Sequence, residues 1–471
     1  MLKKIKYLSL PCLLGFFAVS NLYTVIRSPI LGDDLYSPFA IWIASKGDIS
    51  ELLRIIPFGL ENGHVSLLGR VISYLWNFNW IWFGTQQFPG NHLLYYEITR
   101  LFSIACGAIA LILLFKIIST EISSSLRTKI YLSCLFCSTL TYYGLNSHDP
   151  TASYPLISYP TVLLGLVPLW IYINNSKKMT RTACLKIFFL SVLAIGYYEL
   201  NFSLILTFSF LFIWKKPRLR FLAPVILIAI CISLQFYSSD YSGTDINFSI
   251  NIFLVIINSL YSSIPILAQV LLIANSTSKL LGISLLFAIF FLNALLCLIL
   301  FRKFKGKVPR SLASIGIRYE GVKLILIFLA GVLIIQGSTF KSQIELVEIG
   351  RVYTANPYLH LFWVALIYLS VTAFKNFQTS LTLLTKKTHL LLTCLLASIL
   401  FFNISAVHKT EQHFALSNKV LNNWDLRDEQ FCTSLESWNR EDWPEYYREE
   451  FTQNISKSAR VFLNRSCKIE D

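Results

Sequence analysis

The amino-acid sequence predicts an all-α polytopic membrane protein with about 11 transmembrane helices, external interfacial helices and a small helical C-terminal tail. Three observations lead there. Of 471 residues, 55% are hydrophobic and 14% charged, against roughly 25% charged in an ordinary soluble chain, and the mean hydropathy is +0.57. Apolar runs recur at the length a span requires, roughly 20 residues for a hydrocarbon layer about 30 Å thick, because every backbone amide must be satisfied within the helix. The formal net charge of +15 is gathered in short cationic clusters between those runs. That arrangement marks cytoplasmic anchors rather than a nucleic-acid footprint.

The start, "MLKKIKYLSLPCLLGFFAVSNLYTVI", has a basic flank before an apolar run that continues to Ile26. It reads as a retained first span, 6–26, with its N-terminus cytoplasmic. Further spans are expected at 100–118, 130–146, 157–174, 185–197, 200–214, 221–237, 278–301, 322–337, 356–374 and 388–406. The clusters that orient them are Lys116 with Arg127 and Lys129, then Lys177, Lys178, Arg181 and Lys186, "KKPRLR" at 215–220, "FRKFKGKVPR" at 301–310, and Lys375 with Lys386 and Lys387. Between 185 and 214 the sequence predicts a short hairpin with "YYELN" at its external tip. An odd number of crossings puts the chain's end outside, giving a membrane module at 1–406, with a first external loop at 27–99, and an external tail at 407–471.

The first external loop is too long for a simple turn. Its runs "FAIWIASKGDISELLRII" and "SLLGRVISYLWNFNWIWF" are amphipathic and aromatic, as suits helices lying in the membrane interface, and "INIFLVIINSLYSSIPILAQVLLI" at 250–273 is similar. Of ten cysteines, eight lie in or beside apolar segments without metal-ligand spacing and read as small buried hydrophobes. Cys432 and Cys467, the pair in the polar tail, are expected to form a disulfide if the tail faces an oxidising compartment.

With this topology the polar residues that need explaining gather on one side. They are Asp33, Asp34, Glu61, Asn62, His64 and Arg70 in the first loop, His148 and Asp149 in "NSHDP", Glu199 in "YYELN", and Lys341, Glu345, Glu348 and Arg351 in "FKSQIELVEIGRVYTANP", which also holds Tyr353. Ionisable groups at the lipid boundary point to function. Each also has a plainer explanation. "GDDLYSP" suits a solvated turn with a helix cap, Arg351 an interfacial anchor, and Lys341 with Glu345 and Glu348 a solvated helix face. What favours function is that all fall on the same side.

A carboxylate pair after the first span, then "ENGHVSLLGR" at 61–70, then an acidic hairpin and an arginine before a late span, resembles the GT-C superfamily of polytopic glycosyltransferases, within it the bacterial O-antigen glucosyltransferase-like group. Here His64 follows Gly63 and the arginine arrives only at Arg70. The resemblance implies a GT-C-like catalytic module in the bacterial inner (cell) membrane. It also implies an inverting hexosyl transfer from a polyprenyl-phosphate donor to a cell-envelope glycan, such as the O-antigen of lipopolysaccharide, or to a lipid acceptor. An acceptor hydroxyl is a poor nucleophile, and a carboxylate that takes its proton accelerates attack by about 10²- to 10⁴-fold. One of the pair serves as base, Asp33 slightly ahead of Asp34, while the other caps the next helix or orients a partner. Arg351 is the first choice for the departing phosphate, because a guanidinium makes bidentate contacts, with Lys341 and His148 behind it. Glu61, Asn62, Arg70, Asp149, Glu199 and Tyr353 are expected to line the substrate. No cofactor is required, although an adjacent carboxylate pair also suits a divalent metal such as Mg or Mn. An O-antigen polymerase or ligase and a lipid-linked sugar transporter or flippase are the alternatives.

Overall fold

A computed structural model describes residues 22, 26, 41–42, 45–59, 67–83, 87, 92–119, 156–176, 179–215, 251–262, 265–304, 320–339 and 358–359. The described residues are helical with no strand, so the fold is all-α. In chain order the helices are α1 (Ile49–Gly59), α2 (Leu67–Trp82), α3 (His92–Ser119), α4 (Ser158–Asn175), α5 (Arg181–Tyr197), a 3₁₀ turn (Glu199–Phe202), α6 (Ser203–Lys215), α7 (Asn251–Ser262), α8 (Pro265–Thr277), α9 (Lys279–Phe304) and α10 (Glu320–Thr339). Among the described residues one helix, at Leu94–Ile118 in α3, is by itself long and apolar enough to cross a membrane. The expected spans at 6–26, 130–146, 221–237, 356–374 and 388–406 lie wholly or largely outside the described residues, as does the tail at 407–471.

Local sequence sets several boundaries. The expected interfacial helix over "FAIWIASKGDISELLRII" is interrupted, because Lys46 and Gly47 adopt positive φ of 54° and 67°, a conformation glycine adopts without steric cost. Asp48 then caps α1, its carboxylate accepting from the Ser50 N–H at 2.9 Å and the Ser50 hydroxyl at 2.8 Å. Thr180 does the same for α5, its hydroxyl oxygen accepting from Ala183 N–H at 3.1 Å. At the far end of α5, Tyr198 is extended (φ −158°, ψ 140°), which ends the helix before the 3₁₀ turn.

The main core joins α3, α4, α5, α6, α10 and Tyr358. Helices α3 and α4 pack along each other, as do α4 and α5, while α10 packs on α3, α6 and the 3₁₀ turn. Small residues let these backbones approach, since a Cβ added at Gly321 would run into the Ile117 carbonyl and one at Gly331 would meet Ser203 at 3.2 Å. A satellite core unites α7, α8 and α9 through Ile257, Tyr261, Leu271 and Leu286, and reaches α10 through α7. A third cluster, Ile41, Leu52, Ile56 and Phe78, joins α1 to α2.

Two expectations need correction. Helix α3 begins at His92, so residues 92–99 belong to a helix rather than to the first external loop. The 185–214 segment is broken where the sequence suggests, but its halves do not form a side-by-side hairpin. Helix α5 lies on α4 and α2, whereas α6 lies on α10. Ser203, at the end of the break, packs on Gly331, the twelfth residue of the 20-residue α10, so the interruption sits at mid-height of that helix.

Candidate functional site

Among the buried polar side chains of the described residues, which also include Asn77, Asn258 and Ser262, two groupings draw together distant parts of the chain. The first lies on α3 where it meets α2 and Ile26. Tyr96, Arg100 and Ser103 recur at helical spacing on one face, and all three are buried. Arg100 is 1% exposed. Its Nη1 donates to the carbonyl of Ile26, 74 residues earlier in the chain, at 3.0 Å, and its guanidinium lies 4.3 Å from the centre of the Tyr96 ring. Trp76 and Trp80 of α2 complete the wall, their ring centres 5.3 and 5.4 Å from that of Tyr96. The indole N–H of Trp76 and the hydroxyl of Ser103 are buried with no hydrogen-bond partner among the described residues. Arg100 sits six residues inside Leu94, where the apolar run begins, about 9 Å along the helix. A guanidinium buried in this way is tolerated only where carbonyl oxygens and aromatic faces replace its water.

The second grouping is at the α5–α6 break. Asn201, fully buried, donates through Nδ2 to the carbonyls of Ala194 at 2.8 Å and Thr161 at 3.4 Å. The Tyr358 hydroxyl reaches the Thr161 carbonyl at 2.9 Å and the Asn201 side-chain oxygen. One proton shared between two acceptors holds three distant parts of the chain at one point. Gly165 makes the room, since its missing Cβ would overlap the Tyr358 hydroxyl and meet Asn201 Oδ1 at 2.6 Å. The phenol ring is fixed edge-to-face on Phe328, with centres 5.3 Å apart. Nearby, the Tyr197 hydroxyl donates to the Leu156 carbonyl.

Of the sequence-predicted site residues, Asp33, Asp34, Glu61, Asn62, His64, His148, Asp149, Lys341, Glu345, Glu348, Arg351 and Tyr353 lie outside the described residues, as do Cys432 and Cys467. Arg70 falls in the first turn of α2 and Glu199 opens the 3₁₀ turn. Among the described residues Cys106 is a buried free thiol, and no three His, Cys, Asp or Glu side chains converge as metal ligands would.

Arg100, Asn201 and Tyr358 carry the polar chemistry of the described core and were not singled out from the sequence. For Arg100 the signal was available, a lone cation at the head of an apolar run. Asn201 stood inside "YYELN", where its neighbours suggested a solvated tip. Set against protein-family models, curated proteins and solved structures, the chain matches none.

Proposed function

We propose that the chain is a multi-pass glycosyltransferase of the bacterial cell membrane that moves a hexose from a polyprenyl-phosphate donor to an envelope glycan or lipid. In the reaction, Asp33 or Asp34 takes the proton of the acceptor hydroxyl, and the resulting oxygen attacks the anomeric carbon from the face opposite the phosphate. The bond between that carbon and the phosphate oxygen breaks, its electron pair leaves with the polyprenyl phosphate, and configuration inverts. Arg351, with Lys341 and His148, would hold the departing phosphate.

The observation that carries this reading is the acidic doublet only seven residues beyond Ile26, whose carbonyl is held by a buried guanidinium. A membrane setting is supported by the outer surface of the helices. Ile98, Leu101, Phe102, Ile109 and Ile112 of α3 are exposed at helical spacing, as are Leu185, Phe189, Val192 and Leu193 of α5 and Phe291, Leu292 and Leu295 of α9. Stripes of that kind are an aggregation hazard in water and are solvated in lipid. Mass spectra of the envelope polysaccharide test the transfer. Asp33→Asn and Asp34→Asn are expected to reduce hexose addition in cells holding normal amounts of the protein, and full modification in both variants would end the proposal.

One observation favours a second reading, a lipid-linked sugar transporter. Transporters often place interrupted helices near mid-membrane, and the α5–α6 break is at mid-height of α10. Reconstituted protein that moves a polyprenyl-phosphate hexose across vesicles without consuming it would favour that activity over transfer.

A further inference from the structure

We propose that one end of the main bundle, where α3 and α4 finish and α5 and α10 begin, is a docking surface for anionic phospholipid, with Lys116, Arg181, Lys186 and Lys323 meeting the headgroup phosphates and the apolar stripes beside them meeting the acyl chains. The proposal rests on the membrane setting and not on the glycosyltransferase reading.

Side-chain contacts bring these four helix ends together. A Cβ added at Gly107 of α3 would meet the Tyr159 ring, near the start of α4, at 2.9 Å, and the Lys116 ammonium stands 5.8 Å from the centre of the Trp170 ring, near the end of α4. Helices α3 and α4 therefore run parallel. Helix α5 runs back along α4, because Tyr197 at its end donates to the Leu156 carbonyl just before α4 begins. Gly321, the second residue of α10, lies against the Ile117 carbonyl, so α10 starts where α3 stops. Among the described residues of these four helices, every Lys and Arg that is exposed or half-buried is at this end, and Glu320 is the one carboxylate beside them. The helices' own stability does not explain that placement. Arg181 opens α5 and Lys323 is in the first turn of α10, and the helix dipole disfavours a cation at an N-terminus. An anion outside the bundle offsets both costs.

Three of the helices continue from their cations into exposed apolar stripes. Lys116 leads to Ile112 on α3, Arg181 to Leu185, Phe189 and Leu193 on α5, and Lys323 to Leu326 and Ile334 on α10, all at helical spacing. From Arg181 to Leu193 is about 18 Å and from Lys323 to Ile334 about 16 Å, close to one leaflet of a hydrocarbon layer roughly 30 Å thick. A diacyl lipid has that outline, with charge at one end and hydrocarbon of about that length. Phosphate in solution complements the charge but leaves the stripes uncovered. Trp170 beside Lys116 also suits the level of the headgroups.

Native mass spectra of the full-length protein in neutral detergent, with phosphatidylglycerol or phosphatidylcholine of the same acyl chains added, test this. The parent is expected to retain phosphatidylglycerol at least about tenfold over phosphatidylcholine, since each cation at an anionic membrane surface is worth roughly fivefold. The triple variant Lys116→Gln, Arg181→Gln, Lys186→Gln changes three exposed side chains and should lower that preference by about tenfold or more. The triple variant Lys46→Gln, Arg54→Gln, Lys279→Gln removes the same charge from the α1 region and α9 and should keep it. Equal retention of the two lipids by the parent overturns the proposal whether or not any variant accumulates. Equal loss in the two triple variants overturns it too, by making the preference a matter of net charge. So does displacement of phosphatidylglycerol by millimolar inorganic phosphate, which marks a site for a free anion. Selective retention by protein that transfers no hexose leaves the lipid surface standing and ends only the enzyme reading.

Discussion

Adding one methyl group at Gly165 and the same group at Gly196 should move stability in opposite directions. At Gly165 a Cβ would overlap the Tyr358 hydroxyl, meet Asn201 Oδ1 at 2.6 Å and touch Phe328 Cζ at 3.2 Å, whereas at Gly196 nothing lies within 4 Å. Ordinary contact needs about 3.4 Å or more, so the Gly165 neighbours must retreat by close to 1 Å, and Tyr358, fully buried, has nowhere to go. Overpacking of that kind costs about 1–3 kcal/mol. Should the phenol leave its carbonyl and amide partners, the buried polar groups left behind raise the total to about 2–6 kcal/mol. At Gly196, within α5, alanine narrows the unfolded ensemble and favours helix, a gain of up to about 1 kcal/mol. Thermal midpoints of the two variants in detergent, read as the monodisperse fraction on size exclusion, should bracket the parent with Gly165→Ala below it. Adding Tyr358→Phe to Gly165→Ala removes the overlapping oxygen and should restore part of the loss. A Gly165→Ala midpoint equal to the parent's, or a double variant no better than the single, would refute the packing described for the break.

Gly321→Ala should be as damaging for a different reason, since its Cβ meets the backbone oxygen of Ile117, which no rotamer change can move; a size-exclusion midpoint below the parent's checks this. Asp48 predicts a local pH response. Hydrogen bonds from the Ser50 N–H and hydroxyl hold its carboxyl below the ordinary value of 3.8, so the cap's contribution is complete above that value and is lost as pH falls through the lower, folded value. Hydrogen-exchange protection at Ser50 to Leu52, taken relative to the intrinsic rate at each pH, should fall only in that acidic window, and Asp48→Asn, which still caps, should abolish that fall while leaving protection at neutral pH. By contrast, Glu51→Ala should shift stability by less than about 0.5 kcal/mol, because the Arg54–Glu51 pair is solvent-exposed at 76% and 37%.

The helices were legible in the sequence wherever an apolar run was closed by cations. The helices expected at 157–174 and 278–301 are found as Ser158–Asn175 and Lys279–Phe304. The start of α3 was missed because Glu97 looks like a loop residue in a local window. Arg100 is accommodated by a carbonyl 74 residues away and by rings from another helix, partners that no periodicity encodes. The break after Tyr197 was likewise visible as a polar interruption, but its depth was not. Asn201 is buried because Thr161, Ala194 and Tyr358 together satisfy its amide, a coincidence of three segments that local polarity misreads as exposure. The turn at Lys46–Gly47 was present in the letters "SKGD", yet the amphipathic pattern runs smoothly across it and concealed the change of direction. Most of the proposed catalytic residues, Asp33 and Arg351 among them, lie outside the described residues, so the chemistry assigned to them stands on the sequence.

The tyrosine that completes the Asn201 junction is the last of its parts to be made. It lies 157 residues downstream of Asn201, an interval of roughly 8–30 s at translation rates of about 5–20 residues per second. For that time the earlier helices exist with a glycine-lined notch and an amide that has no phenol to meet. A nascent chain halted before residue 358 would therefore carry an unlatched bundle, giving a ribosome-bound assembly clock against which premature release can be timed.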